Sequence, residues 1–205
     1  MTSPVAPLAL PRSNVRTIVG GGITLGLAAV VGVVTFAWLS RTLAGRAEVM
    51  GQTLVVLGGG AVAAYLPSYW VRPREIDGIG WSCLLAVVGF VVFTIVDTVI
   101  LRPLDLYHWT WDAIGGGSGW WYLPIWLMGT ALLAWLGGVV HSLRARREHE
   151  PALLPLAGQT IGIALGLFVL LAATGLTPFH AGAAALAFTL ALGIHIPVAM
   201  ALARR

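Results

Sequence analysis

Six long apolar runs, separated by short stretches rich in Arg, Pro, Gly or Trp, set the pattern of this chain. Each run is long enough for a helix to cross about 30 Å of hydrocarbon. None shows the alternation over about ten residues that barrel strands require. The runs predict helices over residues 17–39, 52–70, 79–101, 120–141, 151–174 and 179–203. Pro151 suits a first helical position, Gly175 a helix end, and Thr177-Pro178 a cap followed by proline. Residues 1–16 hold Pro4, Pro7 and Pro11 without periodicity and read as a flexible tail. Residues 17–205 read as one six-helix transmembrane domain with a Trp-rich loop at 102–119. The expected fold class is all-α, a polytopic integral membrane bundle.

Composition agrees. The 205 residues are 58% hydrophobic and 10% charged, with a mean hydropathy of +0.89. A soluble domain carries about 25% charged residues, so this chain cannot cover itself with a water-solvated surface. In lipid, helices and closed barrels alone satisfy their backbone polar groups. The first run is too long for a signal-peptide core and lacks a small-residue cleavage site, so it reads as an uncleaved helix.

The net charge of +4 comes from twelve Arg and no Lys. The absence of Lys excludes a Schiff base to retinal or pyridoxal and a Walker-type phosphate loop. The arginines flank apolar runs, as topology signals do, so nucleic acid is not an expected partner. With the N-terminus cytoplasmic, nine arginines fall on the inner side and only Arg41, Arg46 and Arg102 on the outer. Both termini are therefore expected inside and the Trp-rich loop outside. The expected location is a bacterial cytoplasmic membrane. The single Cys83 allows neither an intrachain disulfide nor a CxxC pair.

Small residues recur at helical spacing. Gly158, Gly162 and Gly166 form a ridge on the fifth helix, Gly22 and Gly26 repeat the spacing on the first, and Gly58-Gly59-Gly60 thins the second. Such ridges let helix backbones approach one another in lipid. Packing within the chain is the favoured reading for the fifth-helix ridge, and packing against a partner subunit or a second copy the alternative. No tandem repeat is visible, which weakens an inverted-repeat transporter reading.

Polar and aromatic chemistry concentrates in residues 105–126, which hold five of the nine Trp. Tyr107, Trp109, Trp111, Trp120, Trp121 and Tyr122 suit an interfacial aromatic belt, or else a platform for a quinone-like ring or a partner protein. Asp97 lies within the third run, about one turn from its outer end. An intramembrane carboxylate faces protein or water, so Asp97 is expected to pair with Arg102 or Arg41, to carry protons or ions, or to bind metal. Asp105, His108, Asp112 and His180 lie on the same side, and their chemistry suits a transition metal or a proton relay. Their spacing matches no established ligand signature. His141 and His195, on the fourth and sixth helices, are candidates for haem ligation. A hydrogen bond between helices is the favoured role for His195, because Pro197 frees a carbonyl beside it. Gln159 and Thr160 should also seek partners on other helices.

No nucleophile–base pair, GxSxG, HExxH or phosphate loop can be placed; Gly115–Gly117 reads as a flexible turn. The expected function is therefore a non-catalytic integral or accessory subunit of a larger membrane assembly. The alternatives are a small transporter or channel using Asp97, and a redox subunit binding haem or quinone.

Overall fold

The first helix begins where Asn14 can cap it. The Asn14 backbone is extended, and its Oδ1 accepts a hydrogen bond from Thr17 N at 2.7 Å. The computed structural model describes residues 14–73, 75–104, 106, 122–145 and 152–203, and for 122–126, 199, 202 and 203 the backbone alone. Because of the cap, α1 (Val15–Thr42) takes in Val15 and Arg16, which the apolar pattern assigned to the tail.

Five further long helices follow: α2 (Gly45–Val71), α3 (Ile76–Val96), α4 (Tyr122–Ala145), α5 (Leu153–Ala173) and α6 (Ala181–Ala203). A π-helical turn, Asp97–Leu101, continues α3. All six are long and apolar enough to cross a membrane, counting α3 with its π turn. Among the described residues there is no strand.

Two helix ends show the local chemistry. After α5 the chain makes a Schellman turn: Leu176 N donates to Leu171 O at 3.1 Å, and Gly175 N to Ala172 O at 3.2 Å. Gly175 takes the left-handed conformation this turn requires, at φ +71°. The same turn uses Thr177 N, which also donates to Leu171 O. Thr177 is thus part of the end of α5, not the cap of α6. That role falls to His180, whose Nδ1 accepts from Gly182 N at 2.9 Å and Ala183 N at 3.3 Å. The sixth helix therefore starts later than the Thr-Pro signal suggested. Pro151 lies outside the described residues, and Pro155 sits in the first turn of α5, where its missing N–H has no helical acceptor to lose.

Packing centres on α2, which touches each of the other five helices. Around it the neighbours follow in the order α1, α3, α4, α6, α5, each in contact with the next. One apolar cluster joins Ile18, Leu25, Val71, Leu85 and Ala86. A larger one joins Leu57, Tyr65, Phe168, Phe188 and Leu192.

Glycine makes the closest approaches. A Cβ on Gly26 of α1 would lie 2.6 Å from Gly89 O of α3, and one on Gly22 would overlap Val88. A Cβ on Gly137 of α4 would collide with the Ala64 carbonyl oxygen of α2. Gly60 leaves room for the Phe188 ring, whose Cδ1 would stand 2.9 Å from an added Cβ.

The fifth-helix ridge behaves differently. Gly158, Gly162 and Gly166 are exposed, and a Cβ on any of them would meet no described atom within 4 Å. The internal packing favoured for this ridge is therefore not what the described residues show. Spacing by four places residues on one face of a helix, but it does not say which way that face turns.

Candidate functional site

Buried polar groups gather at the end of the bundle that carries Arg72 and Arg144. Tyr65 of α2 is fully buried, and its hydroxyl lies 2.6 Å from Thr160 Oγ1 of α5. Thr160 spends its own proton on Leu156 O, at 3.0 Å. A threonine hydroxyl has one proton to give, so Tyr65 is the donor in the pair. The result is a chain from Tyr65 to Thr160 to the α5 backbone.

Arg144, near the end of α4, extends this group. Its Nη2 donates to Gln159 Oε1 at 3.3 Å. His195 of α6 is 4% exposed, and its Nε2 makes no hydrogen bond among the described residues. The interhelical hydrogen bond favoured for this residue is thus missing at Nε2. His141 and Ser142 of α4 are buried at the same end, and α4 packs against α6. Among the described residues, the arrangement offers hydrogen bonds and the Arg144 guanidinium in an apolar setting.

The Tyr65 chain predicts an order of stabilities. Tyr65→Phe leaves Thr160 bonded to Leu156 O and should cost about 1 kcal/mol. Thr160→Val strands a buried phenol hydroxyl and should cost about 1–3 kcal/mol. Thermal unfolding of the purified protein should rank Thr160→Val below Tyr65→Phe; the reverse order would contradict the donor assignment.

At the opposite end, Asp97 is 1% exposed and accepts from Arg102 Nε at 3.2 Å. The backbone explains how a residue five positions away can reach it. In a straight α-helix, residues five apart point about 140° away from each other. The π turn widens the helix and carries Arg102 back over Asp97. Its backbone N–H also donates to Asp97 O, at 2.9 Å.

Other expected site residues separate from these. His180 is exposed, and its capping role commits Nδ1, leaving Nε2 for any ligand. Asp105, Tyr107, His108, Trp109, Trp111, Asp112, Trp120 and Trp121 lie outside the described residues, and the backbone alone is described for Tyr122. Among the described residues, no three His, Cys, Asp or Glu side chains come together as a metal site. Tyr65 and Arg144 were not singled out from the sequence. Tyr65 stands there as a lone tyrosine in an apolar run, and Arg144 as one of several topology arginines. No family model, curated protein or solved structure matches this chain.

Proposed function

We propose that the chain is an integral multi-pass protein of a bacterial cytoplasmic membrane, with both termini cytoplasmic, and that it serves as a non-catalytic subunit of a larger membrane assembly. Six apolar helices and the asymmetry of the arginines support insertion and orientation. The open ridge on α5 carries the assembly reading. Within the bundle, Gly22, Gly26, Gly89 and Gly137 face a neighbouring helix, whereas a Cβ on Gly158, Gly162 or Gly166 would meet no described atom within 4 Å. Gly58 and Gly59 of α2 are open too, beside exposed Met50, Leu54 and Val62. A transmembrane helix from another subunit or a second copy is the natural occupant of such a surface.

Two measurements test this reading. Gly162→Leu should leave the unfolding temperature of the isolated chain unchanged, because nothing there is displaced. It should also abolish the higher-mass species that native mass measurement in mild detergent is expected to show for the wild type. A wild type that runs only as a single chain would overturn the assembly reading. For topology, in a Cys83→Ser background, Ser118→Cys should label from outside and Glu148→Cys from inside. Labelling of both from one side would overturn the six-span arrangement.

One observation favours a second reading, a redox subunit holding haem or a quinone head group. It is the buried Nε2 of His195, which makes no hydrogen bond among the described residues. A visible absorption spectrum of the purified protein tests the haem form, and His195→Leu should abolish any haem band seen.

A further inference from the structure

Where the first turns of α1 run past the last turns of α2, the helices part to leave a groove of about 420 Å³. Its polar lining comes from Arg16, Thr17 and Thr24 of α1, from Tyr69 and Trp70 of α2, and from Arg72. Glycine makes the room. A side chain at Gly21 would strike Trp70 and Leu85, while Gly20 is open, so the groove has a bare backbone floor. Among the described residues, no acidic side chain lines it.

We propose that this groove binds the phosphate head group of an anionic phospholipid, with an acyl chain lying along α1. Three features lead there. Arg16 stands in the first turn of α1 and Arg72 caps α2, so both guanidinium groups sit where the apolar spans end and lipid phosphates begin. Tyr69 and Trp70 are at the same level, as amphipathic rings at a bilayer interface are. Below the arginines, Gly20, Thr24, Leu27 and Val31 follow one face of α1, and all four are exposed. A free phosphate ion would leave that face bare; a lipid tail covers it.

Arg72 adds a backbone argument. It takes the left-handed conformation at φ 54° and ψ 60°, where glycine is the ordinary residue. Arginine in place of glycine at this helix end puts a cationic side chain on the groove.

The inference rests on bilayer insertion as proposed above, and not on any partner helix at α5. Resistance of the protein to carbonate extraction from membranes reads insertion separately. The groove itself is tested by native mass measurement of the full chain, purified in mild detergent with equal phosphatidylglycerol and phosphatidylcholine. Wild type should retain one phosphatidylglycerol in preference to phosphatidylcholine, and added inorganic phosphate should not displace it. Each arginine near an anionic head group contributes about fivefold in affinity, so Arg16→Gln with Arg72→Gln should lower retention about twenty-fivefold. Gly20→Leu should fill the floor and lower retention with both charges intact, which decides the matter if the double variant fails to fold. Equal retention of the two lipids, displacement by inorganic phosphate, or unchanged retention in a folded double variant or in Gly20→Leu would each overturn the proposal.

Discussion

Gly137→Ala should destabilise the bundle by about 3 kcal/mol, at the upper end of what overpacking costs. The smallest possible side chain is already too large, because its Cβ would overlap the Ala64 carbonyl oxygen. Backbone cannot move aside as a flexible side chain can, so α4 and α2 must separate along their length. Separation would loosen the cluster around Leu57, Tyr65 and Leu136, which spans both helices. Gly129, two turns earlier on α4, is the control. No described atom lies within 4 Å of a Cβ there, and Gly129→Ala should stabilise by up to about 1 kcal/mol through helix propensity. Thermal unfolding of both variants checks the contrast, and a Gly137→Ala protein as stable as wild type would contradict the contact.

Breaking the Asp97–Arg102 pair should cost a similar amount or more, and unequally from its two sides. Asp97 is 1% exposed and Arg102 32%. Arg102→Gln takes away the Nε–H that the buried carboxylate accepts and should cost about 3–5 kcal/mol. Asp97→Asn leaves a guanidinium that can turn toward water or head groups, so about 2 kcal/mol is expected. The double variant replaces both charges and should recover part of the loss, since a buried pair of neutral groups avoids the desolvation that charges suffer. The measurement is a double-mutant cycle of unfolding free energies. Asp97→Asn as stable as wild type, in an assembly that no longer works, would instead assign the carboxylate to ion or proton handling.

The six helices were legible because each apolar run is long and has one physical meaning in a chain this poor in charge. Their ends were less so, since Asn14 and His180 act through side-chain geometry that an apolar pattern does not register. The faces of the helices were hardly legible at all. Gly22 and Gly26 meet α3, while Gly158, Gly162 and Gly166 meet no other described residue of the bundle, yet both sets sit in uniformly apolar surroundings. In water, amphipathicity would have told the two apart; in lipid both sides of a helix are greasy. Arg102 was a named candidate partner for Asp97, although an α-helix would have pointed the two apart. The π turn that joins them has no sequence signature here. Tyr65 and Arg144 acquire meaning only when α2, α4, α5 and α6 come together, and no local pattern carries that information.

The central place of α2 bears on how the protein is made. Chains emerge from the ribosome N-terminus first, so α2 is the second helix available to the membrane. Each of α3, α4, α5 and α6 then arrives to find a helix it will touch already present. Docking onto a helix already in place spares the later spans a search among loose segments. A change on the buried face of α2, at Leu57, Ala61 or Ala64, would by the same logic impair every later step of assembly, where a change on α5 impairs one of the last.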